Sequence, residues 1–127
     1  MRVTGIGGVF FQADDPEKLY QWYEQHLGIH RKQGYVSFHW RGDENPQDRG
    51  QTAWAIFGRE SKYFKPGRAS MMINYRVNDL DALLDALRAE GVQIDPKRED
   101  YDYGRFAWIV DPEGNKIELW EPPAPKS

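Results

Sequence analysis

Two stretches of this chain carry nearly the same pattern: GVFFQADDPEKL, beginning at Gly8, and MINYRVNDLDAL, beginning at Met72. Each is a strand-like run followed by an acidic residue and the start of a helix. Asp15 and Asp79, both suited to cap a helix, lie 64 residues apart, as do Ala13 and Val77. The glycines that stop the two helices, Gly28 and Gly91, lie 63 apart. A repeat of this length means that one supersecondary unit occurs twice, and each unit has a face it cannot cover alone.

The unit can be read along the chain. Val3–Gln12 has strand character, and its glycines at 5, 7 and 8 lead into VFFQ rather than a helix. A phosphate loop needs a helix N-terminus at that point, so these glycines fit a strand that something bulky approaches closely. A helix follows, with Asp15 as N-cap, Pro16 at N1, and Leu19, Trp22, Tyr23 and Leu27 at helical spacing. Strands are predicted over Tyr35–Arg41 and Gln51–Gly58, separated by GDENPQDRG, a polar loop long enough to be a mobile flap. Arg59–Ser70 is a polar connection between the halves. The second half repeats the order: strand Met71–Val77, a capped helix through Glu90, a short extended piece Val92–Asp95, the loop Glu99–Tyr103, and a closing hairpin. The hairpin turns at Asp111–Asn115, where Asp-Pro-Glu-Gly fits a type I turn. The C-terminal tail, residues 122–127, is Pro-rich and expected to be disordered.

The fold class predicted is α+β. Two βαβββ modules, about residues 1–62 and 68–122, form one domain with a curved mixed sheet, the helices outside and a cup on the opposite face. Alternation and a uniform offset of 64 assign the faces. Val9, Phe11, Ile73, Tyr75, Ile117 and Leu119 face the helices. Gly8, Phe10, Gln12, Trp54, Met72, Asn74, Arg76 and Glu118 face the cup, and Trp120 shares the Glu118 side of its strand.

Composition narrows the function classes. The chain has 127 residues, a net charge of −3, scattered Lys and Arg, and no cysteine. This excludes disulfides and thiolate metal sites and offers no nucleic-acid face. No apolar stretch approaches membrane-spanning length, so a soluble cytoplasmic protein with no membrane partner is expected. Aromatic residues make up 14% of the chain, enough either to fill the core or to wall a site for an apolar ligand.

The repeated βαβββ order and the closing DPEGNKIELWEP hairpin resemble the vicinal oxygen chelate superfamily, which includes glyoxalase I, extradiol dioxygenases and bleomycin-resistance proteins. The resemblance implies a cup whose divalent metal is held by His or Glu on four strands. Carried over, those places fall at Gly8, Trp54, Met72 and Glu118. Only Glu118 can ligate: glycine has no donor, the indole nitrogen keeps its proton, and a thioether suits hard divalent ions poorly. The resemblance therefore implies a metal-independent small-molecule-binding protein with no cofactor, working as a homodimer. The alternative is a lyase, isomerase or dioxygenase of the same fold, using Glu118 in a non-standard metal or acid/base site.

Two readings of Glu118 stay open: contact with a ligand, or an ion pair with Arg76. His39 is the one histidine placed mid-strand on a polar face, and is a candidate acid/base or a solvated edge residue. The candidate catalytic residues are Glu118 and His39. The candidate ligand-binding residues are Phe10, Gln12, His39, Trp54, Met72, Asn74, Arg76, Glu118 and Trp120. The sequence does not identify the ligand or show whether a reaction is catalysed.

Overall fold

The structure, a computed structural model, describes residues 2–124; part of the tail expected to be disordered lies outside these. The first half runs β1 (Val3–Ala13), α1 (Pro16–Leu27), β2 (Val36–Arg41) and β3 (Arg49–Gly58). The second runs β4 (Met71–Val77), α2 (Leu80–Ala89), β5 (Gln93–Tyr101), β6 (Gly104–Val110) and β7 (Lys116–Glu121). The strands form one open, curved, mixed sheet in the order β2-β3-β1-β4-β7-β6-β5. The halves join within the chain through the antiparallel pair β1–β4. Between α1 and β2 the first half has only an isolated bridge, Lys32 with Tyr35, across a turn where Gln33 and Gly34 have positive φ.

The capping residues act as the sequence requires. Asp15 accepts a hydrogen bond from Lys18 N at 3.1 Å, Asp79 accepts one from Ala82 N at 3.1 Å, and Gly28 ends α1 at φ +68. α2 buries Leu80, Leu83 and Leu84 against Val77, Ala107 and Leu119. α1 packs differently from expectation: Trp22 is 50% and Leu27 61% exposed, whereas Tyr20 is buried. Polarity explains the choice, because the Tyr20 hydroxyl accepts a hydrogen bond from Ile56 N at 2.8 Å inside the core.

Strand register corrects one face assignment. Val9 and Ile73 occupy equivalent places in β1 and β4. Val9 pairs with Trp54, and Ile73 pairs with Ile117. Trp54 is thus the counterpart of Ile117, and Ala55 that of Glu118. The offset has dropped from 64 to the 63 already visible at the glycine stops. One residue of slip moves a strand's side chains to the opposite face. Trp54 accordingly leaves the cup and packs under α1, 5.0 Å from the Tyr23 ring and 5.4 Å from Phe11.

β5 is also longer than expected. It absorbs Glu99–Tyr101, which read as loop, and accommodates Pro96 by an irregular register between Ile94 and Arg98. The polar loop after β2 is closed on itself rather than extended: Gly42 N donates to Asp48 O at 2.7 Å and Asp48 N to Asn45 O at 2.9 Å.

Two bulges in β1 shape the cup. The register shifts between Val3 and Gly5 and again between Ile6 and Gly8, inserting Thr4 and Gly7 opposite β4. Thr4 Oγ1 accepts from Arg76 Nε at 2.8 Å. At Gly7 a Cβ atom would stand 2.3 Å from Asn74 Oδ1 and 3.0 Å from Trp120 Cε3. Gly7→Ala is therefore expected to displace the Asn74 carboxamide and cost about 1–3 kcal/mol, measured by urea unfolding. A loss below a few tenths would show that the bulge adapts freely.

Candidate functional site

Glu118 sits mid-strand in β7 and is only 2% exposed. Both of its cross-strand neighbours are hydrogen-bond donors. In the parallel pair with β4 it lies opposite Asn74, and in the antiparallel pair with β6 opposite Trp108. Asn74 Nδ2 donates to Oε2 at 2.6 Å and Trp108 Nε1 donates to Oε1 at 3.0 Å. The Tyr63 hydroxyl makes the third, very short bond to Oε1. A buried carboxylate needs such donors to stay in the fold. Arg76, the ion-pair partner in one of the two readings left open for Glu118, pairs instead with Asp48.

Tyr63 belongs to the connection between the halves, which read as a polar linker. It is a strap closing one end of the cup. Phe64 (3% exposed), Met72 and Trp108 form a buried cluster there, with Phe10, Phe57, Tyr63 and Phe106 packed against it. Polar contacts fasten the strap on both sides. Gln12 Nε2 donates to the carbonyls of Gly58, Arg59 and Ser61, and Lys116 Nζ donates to Tyr63 O at 2.7 Å. Lys116 Nζ also lies 5.1 Å from the centre of the Tyr63 ring. Burial pulls the Lys116 ammonium below its usual pKa.

Burial and the adjacent Glu118 charge push the Tyr63 hydroxyl far above the usual tyrosine pKa. The unfolded chain gives up this proton more readily, so the tyrosine's contribution to stability is present below about pH 10 and declines above it. Stability of the wild type is expected to fall more steeply above that pH than stability of Tyr63→Phe. Urea midpoints measured from pH 8 to 11 check this, and parallel curves would refute it.

The next rung on the same face of the sheet is Arg76 opposite Trp120. Here the cup is open. A groove of about 1320 Å³ is lined by Arg76, Trp120, His39, Gln51, Asp48 and Tyr103, among others. The candidate residues thus divide. Phe10, Met72, Asn74 and Glu118 meet in the closed end, and Arg76, His39 and Trp120 line the open end. Gln12 is spent on the strap, and Trp54 lies beneath α1. Tyr63 and Trp108 were missed. Trp108 was accessible from the sequence, because a hairpin turning at Asp111–Asn115 sets it directly opposite Glu118. Tyr63 was signalled only by two adjacent aromatics, Tyr63 and Phe64, in an otherwise polar connection.

The donor set does not fit a chelated divalent ion. With the register corrected, the four strand places are Gly8, Ala55, Met72 and Glu118. The single carboxylate among them already accepts three protein hydrogen bonds. Among the described residues no group of three or more His, Cys, Asp or Glu side chains converges.

These features define a class: a duplicated βαβ-type chain that wraps one curved sheet around a cup with a buried acid on its last strand. The chain belongs to the glyoxalase/bleomycin resistance protein/dioxygenase superfamily, whose family model matches residues 5–119. No curated protein matches it in sequence. Among solved structures it resembles methylmalonyl-CoA epimerase from Mycobacterium tuberculosis, at 24% identity over 96% of this chain and 90% of that one, TM-score 0.59. A Streptomyces coelicolor methylmalonyl-CoA epimerase variant, in complex with 2-nitronate-propionyl-CoA, aligns at 17% identity over 98% and 99%, TM-score 0.66. A Legionella pneumophila protein described as an NAD-dependent benzaldehyde dehydrogenase aligns at 16% over 91% and 98%, TM-score 0.58. At these identities the likeness is one of fold. No helix among the described residues is long and apolar enough to cross a membrane.

Proposed function

We propose that this protein binds a small organic molecule in the open end of its cup, without a metal ion, and does so as a homodimer. One observation carries the proposal: Glu118, the one residue able to ligate at the places where the family resemblance implies a metal, is bonded to Tyr63, Asn74 and Trp108, while the adjoining rung, Arg76 and Trp120, opens onto a groove. Aromatic faces and a few polar groups around a concavity are what small-molecule recognition requires. The epimerases it resembles in fold act on a CoA thioester, so an isomerase-type activity is the second reading. For that reading, Glu118 would have to shed Tyr63, because 2% exposure leaves a substrate no path to its oxygens.

Two measurements test the proposal. Purified protein analysed by elemental mass spectrometry and titrated with Zn²⁺, Ni²⁺, Mn²⁺ or Fe²⁺ is expected to show no stoichiometric tight binding. A thermal-shift screen of anionic, neutral and cationic aromatic compounds is expected to yield stabilising ligands that protect the Trp120 indole in NMR spectra. Tight metal binding overturns metal independence, and a screen with no hits of any charge overturns the binding role.

A further inference from the structure

In the open end of the cup the Arg76 guanidinium is paired with the protein's own Asp48. The Arg76 side chain is only 6% exposed and is fixed before any anion is considered. Its Nε donates to Thr4 Oγ1 at 2.8 Å, Nη1 donates to the Arg49 carbonyl at 3.3 Å, and the group lies 4.9 Å from the Trp40 ring centre. The second β1 residue that makes this possible is Gly5, where a Cβ would stand 2.2 Å from the Trp40 ring. What remains of the fork faces the groove and takes the Asp48 carboxylate at both oxygens, with Nη1 3.2 Å from Oδ1. A planar guanidinium with a paired carboxylate is the geometry in which arginine recognises carboxylates generally.

Asp48 differs from its partner in one respect that matters. Its side chain is 38% exposed, so rotation about its own bonds takes the carboxylate to water while the backbone of the loop keeps its hydrogen bonds. Arg76 has no such alternative. The groove's other carboxylates are Asp43, Glu44 and Glu121, with Arg49 as a second cation. Glu121 Oε1 accepts from Leu80 N at 2.8 Å, and among the described residues Arg76 is paired with none of these three but with Asp48.

Resting on the small-molecule reading above, we propose that the ligand is an organic carboxylate with an apolar, planar body. Its anionic group replaces Asp48 on Arg76, and its body lies along Trp120 and Tyr103. A tethered carboxylate is present at high effective concentration, so a bare anion such as acetate cannot compete and the apolar body must supply the difference. Asp48 thereby acts as a built-in competitor: apparent affinity is the intrinsic affinity reduced by the fraction of molecules with Arg76 free.

The test uses naphthalene-2-carboxylate, its primary amide and acetate against the full-length wild type and Asp48→Asn, by calorimetry. In the wild type the carboxylate is expected to bind at least tenfold more tightly than the amide, and acetate not measurably. Asp48→Asn is expected to raise carboxylate affinity about tenfold and leave the amide unchanged. Equal binding of carboxylate and amide, or a carboxylate affinity unchanged or lowered in Asp48→Asn, overturns the inference while leaving a small-molecule site in place. If Asp48→Asn proves unstable, the Arg76 Nε–Hε resonance of the wild type serves instead. It is expected to shift with the carboxylate and not with the amide, and a shift confined to the Trp120 indole overturns the inference. Failure of the broader proposal reads out separately, as absence of ligands of every charge in the thermal-shift screen.

Discussion

Glu118→Ala is expected to lose at least about 3–5 kcal/mol of stability, the usual cost of removing one member of a buried charged hydrogen-bond network. The loss arises from what is left behind. The Asn74 amide, the Trp108 indole and the Tyr63 hydroxyl all aim at the vanished carboxylate. An orphaned buried donor costs about 1–3 kcal/mol each, before any relaxation. Glu118→Gln keeps the volume and one acceptor oxygen but turns an NH₂ group toward a ring of donors, so it is expected to fall between wild type and alanine. Urea denaturation of the three proteins gives the ranking. A cost under 1 kcal/mol for alanine would show that the donors have other partners and that the closed end is not organised around this acid.

Trp108→Ala is expected to be as damaging, at about 3–5 kcal/mol, from lost packing and a residual cavity. The indole is 2% exposed and sits between the strap and the sheet, 6.3 Å from the Tyr63 ring. Because it also donates to Glu118, its loss overlaps with the previous one. The double variant Glu118→Ala/Trp108→Ala is expected to lose at least 1 kcal/mol less than the two single losses combined. Strict additivity would mean that the indole acts only as a space-filler and that its hydrogen bond contributes nothing.

Much of the architecture was legible because it is written in local signals. Asp15, Pro16 and Gly28 frame one helix, Asp79 and Gly91 the other, and Asp-Pro-Glu-Gly folds the last hairpin. The caps and the turn act through bonds to residues two to five away, and Pro16 through its fixed φ, so sequence alone suffices. The cup was legible only in part. Phe10, Met72, Asn74 and Arg76 fall on the cup face because β1 and β4 keep the 64-residue offset, and Glu118 does so by alternation along β7. Trp54 was misplaced because the offset shrinks by one before β3, and alternation carries no information about where a residue is lost. Of the two open readings of Glu118, the ion pair with Arg76 fails for a related reason. Asp48 and Tyr63 reach the sheet from connections, where no period constrains which side chain turns inward. Pairing of distant loops with strands is a tertiary outcome, and the polar look of GDENPQDRG and of Arg59–Ser70 concealed it.

The strap has a bearing on how such a chain could be divided. The most natural cut between its two similar halves runs through residues whose ring and hydroxyl complete the other half's interior. A fragment ending near residue 62 would leave Phe10 and Phe57 without their cover, and a counterpart beginning at the second module, near residue 68, would hold a carboxylate with one donor missing. The duplication is therefore one of pattern and not of self-sufficiency: neither copy is a finished protein, and the linker that joins them supplies part of what each lacks.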